Sequence, residues 1–287
     1  MSEQLNRGTG MLIIDVMNSN PNGDPDREND PRMRSDGRGE ISPVSVKHKI
    51  RELVEDKDSE IWREISEKLG LPLEGFDILE SRNTRRAEAK KLSPEELLAK
   101  YWDARVFGTT FLEKDTESFI ATGVAQFGLG VSLDPVEIRR MTTTKALPVQ
   151  EDKSRGMAPL AYRVVSYGVY VMPFFINATA ARKTACTRQD IQLMLELLPY
   201  IYKETASYLR PQVDIRHAFY VEHLRPRGTF NDFKIIDALT PARIGDQTGV
   251  ALSWKDYDEK GLLERVSELN RQMEGKAHPV RDLMEEI

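Results

Sequence analysis

The sequence has one cysteine, Cys186, and only four histidines in 287 residues. A lone thiol cannot close an intramolecular disulfide, and scattered imidazoles without companion cysteines do not build a zinc centre. The chain therefore suits a reducing compartment, and a cytoplasmic location is expected. Long apolar runs are missing too: the longest, residues 168–176, falls far short of the roughly 20 residues that a bilayer-spanning helix needs. Residues 1–10 show neither the basic flank nor the apolar centre of a signal peptide, so no export and no membrane association are expected. Positive charge is in deficit. With 41 Lys and Arg against 46 Asp and Glu, the net charge is -5, which excludes nucleic-acid binding by bulk charge and leaves only a local basic site. No G-x-S-x-G, no phosphate-loop glycine pattern and no H-E-x-x-H occurs, and Cys186 has no histidine nearby in sequence. No motif supports a nucleophilic enzyme or calls for a cofactor.

The residues that are present describe an ordinary globular chain. Hydrophobic residues make up 40% and charged residues 30%, enough for a packed core, and the length fits one domain with insertions. Residues 11–17 (MLIIDVM) form a short apolar run stopped by Asn18, Ser19, Asn20, Pro21, Asn22 and Gly23, as a buried strand entering a loop reads. The connection to residue 40, rich in Pro and Gly, is long enough to suggest function. A helix opens at Ser42 as N-cap with Pro43 in its first turn, and Val46, Ile50, Leu53 and Val54 share one face. Further helices are expected over 59–69, from a Ser93 to Glu96 capping box through 102, and over 187–209. Residues 107–133 read as strand and turn, 136–147 as the first arm of a hairpin with its tip at 148–156, and 162–176, 214–224 and 233–239 as strands. A helical, peripheral tail is expected over 256–287. This order predicts an α+β fold of the ferredoxin-like or RNA-recognition type with insertions.

Three constellations invite a functional reading. Residues 18–23 imitate half a calcium loop, but the twelfth position is Asn29 rather than Glu, so the segment reads either as turn geometry or as a loop whose amides hold phosphates or base edges. Between 32 and 51, Arg32, Arg34, Arg38, Lys47, Lys49 and Arg51 face only Asp36 and Glu40. That excess is either a solvated helix face or a phosphate-contacting surface, and its position beside a glycine-rich loop favours the latter. A second basic stretch, Arg139, Arg140, Met141, Thr142, Thr143, Thr144 and Lys145, faces Lys153 and Arg155 across the hairpin tip. Its Met141 is a flexible apolar wedge of the kind that inserts between bases, although charges also protect exposed sheet edges. Asp24, Asp26, Asp30 and Asp36 are the only carboxylates gathered as a catalytic or metal site would need, and solvated loop charge explains them equally.

Five stretches in order, 20–26 (NPNGDPD), 41–51, 103–108 (DARVFG), 126–130 (QFGLG) and 140–146 (RMTTTKA), resemble the Cas-seven backbone family of the RAMP superfamily. Its members belong to type I CRISPR surveillance complexes, and the I-C and I-B branch is the closest. The resemblance implies an RNA-recognition-type palm (about 8–56, 119–135 and 160–240), an inserted helical finger region (57–118) and a β-hairpin thumb (136–160). It implies a non-enzymatic subunit that coats guide crRNA, stacks head to tail with its own copies and meets other Cascade subunits, while the guide pairs with target nucleic acid. No cofactor and no metal are implied. Asn20 and Asn22 would then lie in the loop after the first strand, and Arg34, Lys47, Lys49 and Arg51 would contact guide phosphates. Gln126 and Phe127 would line the palm beneath the RNA. Arg139, Arg140, Met141, Thr143, Thr144 and Lys145 would form the thumb, with Met141 displacing one base at regular intervals. Two alternatives stay open: a type III-like subunit cutting target RNA with a loop aspartate, and a stand-alone RNA-binding domain.

Overall fold

The computed structural model describes residues 4–72, 74–84, 86–89, 91–111, 119–144, 159–245 and 249–286. From the N-terminus, β1 (Gly8–Ser19) passes through two two-residue strands, β2 (Gly23–Asp24) and β3 (Asp30–Pro31), to β4 (Arg38–Ile41), α1 (Pro43–Glu55) and α2 (Glu60–Leu69). Short helices α3 (Arg86–Ala89), α4 (Pro94–Lys100) and α5 (Trp102–Phe107) precede β5 (Gly108–Phe111), β6 (Phe119–Thr122), β7 (Ala125–Phe127), β8 (Gly130–Pro135) and β9 (Ile138–Thr144). The long β10 (Pro159–Ile176) leads to α6 (Ala181–Thr184), α7 (Arg188–Leu197), β11 (Val213–Glu222), α8 (Asp232–Leu239), α9 (Glu259–Gln272) and β12 (Arg281–Asp282). The fold is α+β.

The main sheet runs β12–β11–β1–β10–β8–β4, with every neighbouring pair antiparallel. β10 is its spine: one edge pairs with β1, and the other pairs in turn with β9 at 159–165, β8 at 170–171 and β7 at 174–176. Strand alternation sends Leu12, Ile14 and Val16 of β1 into one core with Ile50, Leu53 and Val54 of α1 and Ile191, Met194 and Leu195 of α7. Met11 and Ile13 point the opposite way, into a second core with Phe219, Val221, Ile235, Leu239, Leu262 and Leu269. Each such side chain is worth about 1.5–3 kcal/mol when fully buried, so both layers hold the sheet.

Local chemistry accounts for the helix boundaries. Ser42 accepts from the Ser45 N–H at 3.2 Å, Ser59 from Trp62 at 3.1 Å, and Ser93 with Glu96 closes a capping box. Four expectations are corrected. Residues 233–239 are helical, because Asn231 caps the Phe233 and Lys234 N–H groups and places Ile235 and Leu239 one turn apart in the core. The helix expected to 209 stops at Leu197 and passes into a 3-10 turn that carries Pro199. The helix expected over 93–102 breaks at Tyr101, whose extended backbone separates α4 from α5. The C-terminal segment is more than a peripheral tail: α9 buries Leu262 and Leu269, and β12 pairs with β11.

Candidate nucleic-acid interface

β9 and the first half of β10 form an antiparallel arm in which Met141 lies opposite Tyr162 and Arg140 opposite Arg163. Arg139, Arg140, Met141 and Thr142 are exposed, with Met141 retaining 48% of its surface. The arm is tied to the loop after β1 by two carboxylates, Asp30 and Glu28. Asp30 accepts from Arg140 Nε at 3.1 Å and lies 3.5 Å from Arg163 Nε, while Arg163 also pairs with Glu28. The Arg140 hydrogen bond holds the Asp30 carboxyl below the usual carboxylate range. Arg139 and Glu137 stand 3.7 Å apart with both side chains largely in water, a pair of little energetic weight.

The loop itself is braced from within. Asn20 is buried and donates from Nδ2 to the Asn29 carbonyl at 2.8 Å. Asn22 accepts from the Ser42 N–H at 2.7 Å and donates to the Gly23 carbonyl at 3.2 Å. These amides hold the loop against the start of α1. The left-handed backbone of Asn18 and Asn29 is turn geometry that asparagine tolerates, and Glu28 between them adopts it too. A hairpin turn follows, closed by Arg34 N–H to the Arg38 carbonyl at 2.8 Å. The Gly37 carbonyl accepts from the Val136 N–H at 3.0 Å, which sets Arg34 and Arg38, both exposed, at the root of β9.

The basic stripe of α1 turns inward. Arg51 is buried, donating from Nε to Asp103 at 2.8 Å and lying 2.9 Å from Glu80, while Asp103 also accepts from the Leu79 and Glu80 N–H groups at 2.7 and 3.1 Å. Arg51 is therefore part of the interior of the helical layer rather than an open phosphate contact. Lys49 is only 3% exposed; its ammonium donates to Thr205 Oγ1 at 2.6 Å and sits 5.2 Å over the Tyr202 ring. Burial first, and then the charge of Arg210, lower its pKa to about 8. Lys47 is half-buried with its ammonium 5.3 Å over Phe107, and burial lowers its pKa as well. Lys49 and Arg210 share a cleft of about 380 Å³ between α1 and residues 204–210 with three carboxylates, Glu52, Asp56 and Glu204, so the cleft is of mixed charge.

Gln126 and Phe127 point to opposite sides of β7. Phe127 stacks on Phe174 at 5.3 Å and meets Phe107 edge-on at 6.4 Å, so it belongs to the core and not to a surface beneath RNA. Gln126, half-buried, donates to the Gly123 carbonyl at 2.9 Å. Thr143 and Thr144 pair through their backbones with Leu160 and Pro159; Lys145, Lys153 and Arg155 lie outside the described residues, as does the hairpin tip. Of the loop aspartates, Asp24 accepts from the Asp26 N–H at 3.2 Å and Asp36 from the Arg38 N–H at 3.1 Å. Among the described residues no group of three or more His, Cys, Asp or Glu is placed to hold a metal ion. Arg163 was missed from the sequence, although its alignment opposite Arg140 follows once the hairpin register is drawn.

Among the described residues no helix is long and apolar enough to cross a membrane. No curated protein matches the chain. Among solved structures, a chain of the "CRISPR RNA-guided surveillance complex, pre-nicking" matches with a TM-score of 0.53 at 15% identity, over 93% of this chain and 89% of that one. A chain of a "CRISPR RNA-guided surveillance complex" matches with a TM-score of 0.49 at 14% identity, over 93% and 84%. At these identities the first likeness is one of fold. The family model for CRISPR-associated protein Cas7 matches residues 6–260, most of the sequence, and the chain belongs to that family.

Proposed function

We propose that this chain is a non-catalytic backbone subunit of a type I, Cascade-like surveillance complex, which binds guide crRNA, stacks head to tail with its own copies and holds the guide for pairing with target DNA. The observation that carries this reading is the membership of the Cas7 family, in a chain whose β9–β10 arm presents Arg139, Arg140 and Met141 to solvent. The strand order β11–β1–β10–β8, with α1 and α7 on one face, supports a ferredoxin-like palm, with the arm as its thumb. Sequence is then read by base pairing, and the protein needs only phosphate, shape and stacking contacts. A net charge of -5 is no obstacle to that division of labour. A head-to-tail contact of unlike surfaces builds an open helical array.

Purification of the chain from its native host, with sequencing of bound RNA and mass measurement of the particle, tests the reading. Repeat-flanked guide RNAs in a multi-copy particle are expected. A monomer, or a particle with heterogeneous RNA, would overturn the backbone role.

A further inference from the structure

Residues 207–210 form a turn that the proposed thumb and helix contacts leave unused. The chain makes a tight turn at Ser207 to Arg210, closed by the Arg210 N–H donating to the Ser207 carbonyl at 2.8 Å. At its tip Tyr208 keeps 58% of its surface in solvent. The turn is rigidly seated, because the Asn20 N–H donates to the Leu209 carbonyl at 2.7 Å and the Gln212 N–H to Ser19 Oγ at 3.0 Å.

Tyr208 stands beside the arm. Its ring meets that of Tyr162 at 5.6 Å in an edge-to-face arrangement, and the Tyr162 hydroxyl donates to the Asn18 carbonyl at 3.1 Å. Tyr162 lies directly opposite Met141 in the β9–β10 ladder, and directly paired residues project to the same face of a sheet. Met141, Tyr162 and Tyr208 thus form a continuous strip from the arm to the turn. Two residues before Met141, and on the same face of β9, Arg139 is exposed. Flat aromatic surface next to an exposed cation is the composition of single-strand nucleic-acid surfaces, where rings stack on bases and cations meet phosphates.

We propose that Tyr208, held by Tyr162, is a stacking platform for one unpaired nucleobase, with the exposed Arg139 of the arm meeting an adjoining phosphate. The proposal rests on the RNA-binding reading above and adds to it a base contact outside the arm. The occupant is single-stranded RNA rather than a protein face, because the strip is continuous with the arm that carries Met141 and the exposed Arg139.

The test uses the full chain, a short fluorescently labelled single-stranded RNA and the same RNA carrying abasic positions, with anisotropy as the binding readout and melting curves as the folding control. Tyr208→Phe should bind as wild type does, since the Tyr208 hydroxyl makes no hydrogen bond among the described residues. Tyr208→Ala should bind about 5- to 150-fold more weakly, the range expected from loss of one stacked base. Wild type should lose a similar factor on abasic RNA, and Tyr208→Ala should lose little more. If wild type binds RNA and Tyr208→Ala binds it equally well, the platform is refuted while the RNA-binding reading stands. A Tyr208→Ala chain that keeps its RNA affinity but self-associates less would refute it as well, by making the ring a subunit contact. If wild type fails to bind RNA at all, both fall together.

Discussion

Arg51→Ala separates the inward-facing stripe of α1 from a phosphate-binding one. Arg51 and Asp103 form a buried ion pair at 2.8 Å, and removing one partner leaves the other charged in the interior. Such a loss costs about 3–5 kcal/mol, and the low end applies here because Asp103 keeps its bonds from the Leu79 and Glu80 N–H groups. At about 2 °C per kcal/mol for a chain of this size, the melting temperature should fall by roughly 6 °C. The double variant Arg51→Met with Asp103→Asn removes both charges and keeps the Met stem against Phe107, whose ring centre lies 5.1 Å from the guanidinium. It should recover much of the loss, and a double-mutant cycle read by denaturant unfolding would report the coupling. RNA binding by the folded fraction of Arg51→Ala should keep the wild-type dependence on salt. An Arg51→Ala protein that melts within a degree of wild type, while its log K against log salt slope becomes shallower by about one, would overturn the reasoning and return Arg51 to the RNA surface.

Other perturbations follow from the same geometry. Met141→Ala, at a half-exposed position, should leave the melting temperature unchanged while abolishing any periodic pattern of base reactivity in bound guide RNA; a persistent pattern would remove Met141 as the wedge. Lys49 has its pKa lowered from 10.5 to about 8, so below pH 8 the folded chain carries the full cost of a buried charge, roughly 3 kcal/mol. Between pH 8 and 9.5 the unfolded state holds more protons and stability should rise; Lys49→Met should be at least as stable as wild type at pH 7 and should show a smaller rise in urea titrations. Above pH 10 the buried hydroxyls of Tyr170, Tyr202 and Tyr220, which resist ionisation, oppose this trend. Asp30→Asn should release Arg140 and Arg163 from the loop and speed limited proteolysis within the arm, and the Asp30 contribution should be lost as pH falls below about 4, through its lowered value.

Features set by neighbouring residues were legible from the sequence: the β1 run, the Ser42 and Ser93 caps, the Met141 arm and the helix starting at 188. Those set by distant partners were not. Arg51 and Lys49 read as a solvent-facing stripe because Asp103 and Thr205, which draw them inward, lie 52 and 156 residues away. Phe127 read as a surface residue because nothing local reveals that its side of β7 faces Phe107 and Phe174. Residues 233–239 (FKIIDAL) have β-favouring content, yet Asn231 followed by Asp232 is a start signal that deserved more weight than composition. Tyr208 carried no pattern at all, since its importance arises only from the turn that sets it beside Tyr162.

The double burial of β1 also has a kinetic meaning. Residues 10–14 are hydrogen-bonded to β10 on one side and β11 on the other, and their side chains are covered on both faces. No edge lets water reach these amides without separating both helical layers from the sheet. Their hydrogens can therefore exchange only when the whole domain opens, which makes this pentapeptide a reporter of global stability under native conditions. The arm, paired to β10 along its length and anchored by side chains such as Asp30, can open while that reporter stays silent.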